Sequence, residues 1–387
     1  MTEQSRVHPE TLIEEGKARI SLSQEPSTVF YNPKMSLNRD LAILFARSYF
    51  PHSHNLTVCD PTTASGIRSA RYALECPNAN HIIAADIDPI AAELASKNTS
   101  LNNLQDKVSV STSDANKLLL NHMTSRFDLI DLDPFGSPAP FFESALRATI
   151  DGGVLAATAT DMGPLSGARP AACKRKYGIH SVRTEFEKEM AVRILLACLA
   201  IIAGRLELGI SAKFCHASDH YARLYVSVVK GRKAANQSQA NLLFMQYCPK
   251  CLNRKNSISL DHLSTVCESC GSRAKIGGPI WVGSLWDDSI VEAMIGYTPT
   301  LISSRLSEVQ KILEYIKREK NCSPFYYTTD SVARVSRTRP VGITRVVESL
   351  RKKGFLASET HFNPVGFRTT ASAAEVASLF REVSLES

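Results

Sequence analysis

The sequence predicts an α/β protein built on an open, mostly parallel sheet of seven strands with helices on both faces. Short apolar runs typical of buried strands alternate with longer segments of helical character between residues 56 and 205, and this alternation favours a parallel sheet. The last two runs, Ile210 to His216 and Ala222 to Val229, follow each other directly. They predict an antiparallel pair at one edge of the sheet.

The other five strands are predicted at residues 56–59, 81–85, 108–112, 127–130 and 154–160. Helices are expected to begin at Ile67 and Pro89, and to cover residues 141–148 and part of 183–205. Asp88 directly precedes Pro89, which is typical of an N-cap followed by proline in the first helical turn. We therefore interpret Asp88 as structural.

An aspartate follows each of the first four predicted strands, at Asp60, Asp86, Asp114 and Asp133. Ligands on open α/β sheets bind beyond the carboxyl ends of the strands, so these acids predict a ligand site. The loop from Pro61 to Gly66 has small residues that allow its backbone to approach a ligand closely. Asp86 lies 20 residues beyond Gly66, the usual position of a carboxylate that binds ribose hydroxyls.

Asp114 and Ala115 are candidates to contact an adenine edge through a side chain and a backbone amide. A helix N-cap is an equally good interpretation of Asp114 on spacing alone. The GxGxxG fingerprint of dinucleotide-binding folds is absent from the first loop. A Rossmann dehydrogenase is therefore disfavoured.

The segment from Asp131 to Pro138, DLDPFGSP, follows an apolar strand and carries the candidate catalytic residues. An exocyclic amine on a flat base is a poor nucleophile, so acceptors must take its N–H protons as the new bond forms. Asp133 offers an acceptor, Pro134 a carbonyl without a competing N–H, and Phe135 a flat face for an extruded base. Asp131 is the second candidate acid. A plain strand end followed by a turn is the structural alternative.

Several segments together resemble the Trm1 family: FYNP at 30–33 with NRD at 38–40, SGIR at 65–68 with Arg71, DPFGSP at 133–138, and TATD at 158–161. Members of this family are S-adenosylmethionine-dependent tRNA (guanine-26-N2)-dimethyltransferases. The resemblance runs from about residue 10 to about residue 300 and implies a class I methyltransferase fold.

The same resemblance implies the roles of individual residues. It implies cofactor contacts near Arg39, Arg71, Asp86, Asp114 and Ala115. It also implies a catalytic acid at Asp133, with Phe30 and Phe135 flanking the target guanine. The segment DPTT at 60–63 replaces the usual glycine-rich start of the cofactor loop, which leaves direct cofactor roles for Asp60 and Arg68 open.

Four cysteines, Cys248, Cys251, Cys267 and Cys270, have CxxC-x15-CxxC spacing. Four thiolates on two tight turns predict a tetrahedral structural zinc site, which leaves no position for a substrate. The alternatives are a pair of disulfides or unrelated buried cysteines. Zinc is favoured because residues 1–9 show no secretory signal and the other cysteines are scattered singly, which favours a reducing compartment.

The net charge is +7, and much of it is concentrated near the C-terminus. The segment between Ser331 and Gly354 contains seven Arg and Lys residues and only one acidic residue, Glu348. A basic helix at 340–353 and two strands at 355–357 and 366–369 predict a winged-helix-like module that contacts phosphates. A solvated basic helix face is the alternative. A second basic cluster, Lys174 to Tyr177, is expected in the loop after the strand that ends near Asp161.

The length of 387 residues predicts more than one domain. We expect a class I methyltransferase domain with an N-terminal extension at 1–235, and a polar linker at 230–239. A C-terminal tRNA-binding region should follow at 236–387, zinc-ribbon-like at 245–275 and winged-helix-like at 300–375. The longest apolar stretch, Ile194 to Gly204, is too short to cross a bilayer.

The expected cofactors are S-adenosylmethionine and a structural zinc ion, and the expected partner is tRNA, with neither a membrane nor an obligate protein partner implied. The expected location is the cytoplasm, or in a eukaryote the nucleus or mitochondrion. One alternative is methylation of another planar amine, such as adenine N6 or a different guanine. The other is a zinc-containing nucleic-acid binder whose α/β domain only senses a nucleoside. The number of methyl groups added is open.

Overall fold

The computed structural model of the protein describes residues 10–23, 29–52 and 55–385. Residues 1–9, for which the sequence predicts no secretory signal, lie outside these described ranges. The chain forms two compact units, each assembled from separate stretches. Unit 1 comprises Met1–Pro134, Phe141–Ala157 and Ala293–Gln310, and unit 2 comprises Phe135–Pro140, Thr158–Glu292 and Lys311–Ser387.

The strands of the first 230 residues are β1 (Glu10–Glu15), β2 (Ala18–Ser23), β3 (Leu56–Asp60), β4 (Ala79–Asp86), β5 (Val108–Thr112), β6 (Phe127–Leu132), β7 (Thr149–Ala159), β8 (Leu208–Ser218) and β9 (Tyr221–Lys230). The helices up to residue 239 are α1 (Ser36–Tyr49), α2 (Ile67–Glu75), α3 (Pro89–Leu101), α4 (Ala115–Asn121), α5 (Phe142–Ala148), α6 (Met162–Leu165), α7 (Pro170–Tyr177), α8 (Glu187–Arg205) and α9 (Arg232–Gln239).

The remaining strands are β10 (Leu242–Tyr247), β11 (Arg254–Ser257), β12 (Lys275–Trp281), β13 (Tyr327–Thr328), β14 (Ala357–Thr360) and β15 (Asn363–Thr369). The remaining helices are α10 (Asp288–Tyr297), α11 (Leu306–Arg318), α12 (Thr329–Ser336), α13 (Ile343–Lys352) and α14 (Ala373–Leu385).

Seven strands form one sheet in the order β5-β4-β3-β6-β7-β9-β8. The pairs of β3 with β4 and β6, of β4 with β5, and of β6 with β7 are parallel. The last two strands, β8 and β9, pair antiparallel at the edge. The predicted seven-stranded, mostly parallel sheet with an antiparallel edge pair is therefore confirmed.

The central strands of this sheet bury apolar residues on both of their faces. Val58 and Cys59 are adjacent residues of β3 and point to opposite faces, and neither is exposed to solvent. Leu129 and Ile130 of β6 show the same pattern. Burial on both faces explains why apolar residues occupy consecutive positions in these strands instead of strictly alternating with polar ones.

The polar segment at 230–239, predicted to be a linker, is instead mostly the helix α9, and that prediction is wrong. One face of α9 is buried through Ala235 and Ser238. The Ser238 hydroxyl accepts a hydrogen bond from the Ile210 amide at 3.0 Å and donates to the Ile210 carbonyl at 3.1 Å. Polar composition misled the prediction because these polar groups bond to the backbone of β8.

The basic cluster Lys174 to Tyr177, predicted in a loop, lies on helix α7. Pro170 occupies its first turn, where a missing N–H costs nothing. Cys173 and Tyr177 are four residues apart and both buried, so they form its inner face. Gly178 ends the helix with a left-handed φ of 71°.

Two small sheets follow. The first has the order β11-β10-β12, and the second has the order β13-β15-β14. Helices α12 and α13 precede the β14–β15 hairpin, which is the succession of a winged helix. The predicted strand at 355–357 begins only at Ala357, because the Phe355 amide still bonds to the Leu350 carbonyl of α13. Among the helices in the described ranges, none is long and apolar enough to cross a lipid bilayer.

Candidate active site

Four acidic residues lie at the carboxyl ends of four neighbouring parallel strands. Asp60 and Asp86 are the last residues of β3 and β4, whereas Asp114 and Asp133 come just after β5 and β6. The chain runs outward from β3 through β4 to β5 and then returns to the other side of β3 with β6. This reversal of strand order opens the crevice in which open α/β sheets bind their ligands.

Asp86 supports the loop that connects β3 to α2. Its carboxylate accepts hydrogen bonds from the Ala64 amide at 2.9 Å and the Asp88 amide at 3.0 Å. Gly66 has a φ of 79°, and a Cβ there would come within 3.1 Å of Ala95, so the loop requires glycine at this position. Ile87, next to Asp86, is 69% exposed.

Asp114 is the N-cap of α4, because its carboxylate accepts a hydrogen bond from the Lys117 amide at 2.9 Å. The capping interpretation of Asp114 is therefore confirmed, and its contact with a cofactor stays a prediction. Ala115 is the first residue of α4 and is buried. Asp88 caps α3 in the same manner through the Ile90 amide at 2.9 Å, as predicted.

Asp133 lies in a cluster of buried charges. Its carboxylate is paired with the Arg68 guanidinium, and its own amide donates to the Thr62 hydroxyl at 3.2 Å. A second Arg68 nitrogen binds Asp131 at 3.1 Å, and the Tyr72 hydroxyl donates to the same Asp131 oxygen at 2.7 Å. Asp131 is fully buried, whereas the Asp133 side chain retains 19% exposure. Asp133 is therefore the carboxylate of this pair that a substrate can reach.

Burial lowers the pKa of Arg68, but Asp131 and Asp133 outweigh burial and raise that pKa well above its ordinary value. The guanidinium therefore remains charged at any physiological pH. Burial, opposed by Arg68 and reinforced by Asp131, raises the pKa of Asp60 to about 6. Asp60 accepts hydrogen bonds from the Ser69 hydroxyl at 2.8 Å and the Thr63 hydroxyl at 2.9 Å.

The two predicted cofactor arginines, Arg39 and Arg71, are both bound to Glu15 of the β1–β2 hairpin. Arg39 binds the two Glu15 oxygens at 2.6 Å each, and Arg71 binds Glu15 at 3.0 Å. Arg71 also binds Asp40 at 2.7 Å and Glu75 at 2.7 Å, and it is fully buried. In this structure the two guanidinium groups connect the N-terminal hairpin to α1 and α2.

The hairpin turn itself requires a glycine. Gly16 has a φ of 58°, and a Cβ at this position would lie 2.2 Å from a Glu75 oxygen and 2.7 Å from Arg71 Nε. Burial raises the pKa of Glu15, but Arg39 and Arg71 outweigh burial and lower it. Glu15 therefore stays ionised and keeps the hairpin in place.

The two aromatic candidates for base binding are both exposed. Phe30 is 53% exposed, and Phe135 is 76% exposed. The loop that carries Phe135 is fixed on its C-terminal side, where Gly136 and Thr160 exchange two hydrogen bonds of 2.9 Å. A large aromatic side chain kept exposed on a fixed loop has the character of a binding platform.

The four cysteines of the predicted zinc site form one cluster. Their sulfur atoms all lie within 4.8 Å of one another, and both the Cys248–Cys270 and the Cys251–Cys267 separations are 3.6 Å. A tetrahedron with Zn–S distances of about 2.3 Å has sulfur atoms about 3.8 Å apart. Each CxxC turn also continues into a left-handed residue, Leu252 or Gly271, whose amide bonds to the first cysteine. The cluster therefore fits a zinc ion.

These observations define a class of protein: a class I methyltransferase whose DPF motif directly follows the fourth parallel strand. The sequence profile of N2,N2-dimethylguanosine tRNA methyltransferase matches residues 9–381. The chain belongs to this family. Both the fold class and the family predicted from the sequence are confirmed.

Relatives match over nearly the whole chain. The tRNA (guanine(26)-N(2))-dimethyltransferase of Methanosphaera stadtmanae is 30% identical over 96% of this chain and 97% of its own. The tRNA (guanine(26)-N(2)/guanine(27)-N(2))-dimethyltransferase of Aquifex aeolicus is 33% identical over 96% of each chain. The solved complex of Trm1 from Pyrococcus horikoshii with S-adenosyl-L-methionine is 32% identical, with a TM-score of 0.87, and covers 95% of this chain and 99% of that one.

Sequence reasoning did not assign roles to several residues of the site: Glu15, Asn38, Asp40, Tyr72 and Ile87. Asn38 and Asp40 belong to the NRD segment, yet nothing in their spacing reveals that they bind Arg68 and Arg71. The exposed apolar Ile87 could have been found, because it directly follows a strand-ending acid.

Proposed function

We propose that this protein transfers methyl groups from S-adenosylmethionine to the exocyclic N2 amine of guanine 26 in tRNA. The observation that carries the proposal is the reachable Asp133 carboxylate, charge-paired with Arg68 and followed after two residues by the exposed Phe135. Membership of the family, together with relatives named for guanine 26, supports the choice of substrate.

When bound, S-adenosylmethionine supplies an electrophilic methyl group on a sulfonium sulfur. We assign Asp86 to the ribose hydroxyls, and Asp114 and the Ala115 amide to the adenine edge. Ile87 is exposed beside Asp86 and offers an apolar surface for the adenine face. Arg39 and Arg71 contribute to the cofactor site through the charge cluster that they form with Glu15.

Asp133 accepts a hydrogen bond from the guanine N2–H, which turns the nitrogen lone pair toward the methyl group. After transfer the methylated amine is strongly acidic, and Asp133 takes the proton. The Pro134 carbonyl is a second acceptor without a competing amide donor. Phe30 and Phe135 flank the extruded base, because an exocyclic amine inside a base stack cannot meet the cofactor.

The C-terminal part of the chain has the features of an RNA-binding surface. Arg334 is exposed on α12, Arg337 and Arg339 are exposed between α12 and α13, and Arg345 is exposed on α13. Guanidinium groups in such an array bind phosphates. We assign this region to binding of the tRNA body, together with the zinc cluster that stabilises the neighbouring segment. We also propose that the enzyme acts in the cytoplasm.

The Aquifex aeolicus relative is named for guanine 27 as well as guanine 26. A second target guanine is therefore the nearest alternative for this chain. The test is to incubate unmodified tRNA with methyl-labelled S-adenosylmethionine, digest it, and identify and map the product nucleosides. N2-methyl- and N2,N2-dimethylguanosine at position 26 support the proposal. Label at adenine N6, or no label in tRNA, contradicts it.

A further inference from the structure

A segment rich in exposed basic residues contains helix α7 in unit 2. Residues 169–183 contain five Arg and Lys residues and no Asp or Glu. All five side chains are exposed: Arg169, Lys174, Arg175, Lys176 and Arg183. Lys176 is paired with Asp161 at 2.8 Å, and the other four form no ion pair with any residue that the structure describes. Four unpaired cations on one short segment attract polyanions.

This basic segment is connected to the loop that carries Phe135. Asp161 accepts hydrogen bonds from the Tyr177 hydroxyl at 2.5 Å and from Lys176 at 2.8 Å, both at the C-terminal end of α7. The preceding residue, Thr160, exchanges two hydrogen bonds of 2.9 Å with Gly136. Gly136 directly follows Phe135. The exposed cations and the exposed ring are therefore parts of one hydrogen-bonded assembly.

We propose that α7 and its flanks form a phosphate-binding surface for the RNA backbone next to the target nucleotide. This inference rests on the proposed function, which places the target base on Phe135. Extruding a base from its stack rotates the nucleotide about its backbone, so the neighbouring phosphates must be held while the base leaves. Arg and Lys side chains supply such sequence-independent contacts.

A structural explanation of the same charges exists and makes a different prediction. Lys174, Arg175 and Lys176 occupy the last turn of α7, where cations stabilise the helix dipole. Removing charges that act only on the dipole would lower thermal stability and leave RNA binding unchanged. Removing charges that bind phosphates changes the affinity for RNA and its dependence on salt.

The test uses the double variant Lys174→Ala/Arg175→Ala in the full chain. The matched control is Arg232→Ala/Lys233→Ala, which removes two positive charges from exposed positions of α9, another eight-residue helix of unit 2. A charge-only variant, Lys174→Gln/Arg175→Gln, keeps the side chains polar in case the alanine variant folds poorly. Binding of unmodified tRNA is measured by filter retention at several salt concentrations, together with kcat, KM for tRNA and the thermal midpoint.

We expect both α7 variants to bind tRNA at least tenfold more weakly than the α9 control, with kcat at saturating tRNA unchanged. The slope of log affinity against log salt is negative, and its magnitude should decrease by about 1.4 to 1.8, because each of the two lost phosphate contacts contributes about 0.7 to 0.9. Affinities and slopes equal to those of the control overturn the inference. If the native protein binds tRNA but methylates none, the proposed function fails, and the binding data still decide whether α7 contacts RNA.

Discussion

Arg68 pairs with Asp131 and Asp133 at the same time, through two different nitrogens of one buried guanidinium. Asp131 and Asp133 both belong to the DLDPF segment, and only Asp133 retains exposure to solvent. Arg68 therefore acts on the proposed reaction through Asp133: it fixes the direction of this carboxylate and compensates its charge. A planar guanidinium can bind two carboxylates at once, and an ammonium group cannot reproduce this geometry.

Asp133→Asn should lower kcat by about 10² to 10⁴, the range ascribed to a positioned proton acceptor. Binding of S-adenosylmethionine, measured by calorimetry, should stay close to that of the native protein. The exposed Asp106 is the control, and Asp106→Asn should leave both quantities unchanged. Near-normal turnover of Asp133→Asn would show that Asp133 is not the acceptor.

Arg68→Lys should reduce kcat while changing KM for tRNA little, because the altered group does not touch the RNA. Arg68→Ala leaves Asp131 without its cationic partner and should destabilise the fold by about 3 to 5 kcal/mol. An Arg68→Lys enzyme with native kcat would contradict the positioning role.

Stability should decrease in acid through Glu189 of α8. Burial raises the pKa of Glu189, but Arg368 and Arg193 outweigh burial and lower it to about 2. The Phe325 and Tyr326 amides also donate to this carboxylate, at 2.9 and 3.2 Å. Because the folded-state pKa is depressed, the stabilisation is fully present above the ordinary glutamate pKa. It is lost as pH falls toward 2.

Urea unfolding at pH 7 and at pH 3 measures this contribution, which we expect to be about 3 kcal/mol at neutral pH. Glu189→Gln should be less stable than the native protein at pH 7 and should lose less stability on acidification. The exposed Glu187, the first residue of α8, provides the control Glu187→Gln. Equal acid sensitivity of the native protein and Glu189→Gln would refute the assignment.

The purified protein should contain one zinc ion per chain, and Cys248→Ser should abolish it. Loss of the metal should unfold the segment around β10 and β11 and weaken tRNA binding, because structural zinc contributes directly to folding. Cys322 lies outside the cluster, so Cys322→Ser should retain the metal. Elemental analysis of both variants decides the matter, and a Cys248→Ser protein with full zinc content would exclude this ligand set.

The sequence determined the elements whose signals are local. The strands of the large sheet are recognised as short apolar segments. The aspartates that follow Cys59, Ala85 and Leu132 are recognised because each directly follows such a segment. The parallel connection then places these acids at one edge of the sheet. The CxxC pairs are equally local, because each turn presents two sulfur atoms to one point.

Only the tertiary structure decided which charges meet. Glu15 binds Arg71 across 56 positions of the chain, and Arg68 binds Asp133 across 65, and neither pair has a periodic or spacing signal. The polar α9 was missed for the same reason, since its hydroxyl and amide groups bond to backbone far away in sequence. Local patterns encode which face of an element is buried, but the partner of a buried polar group depends on how the elements pack.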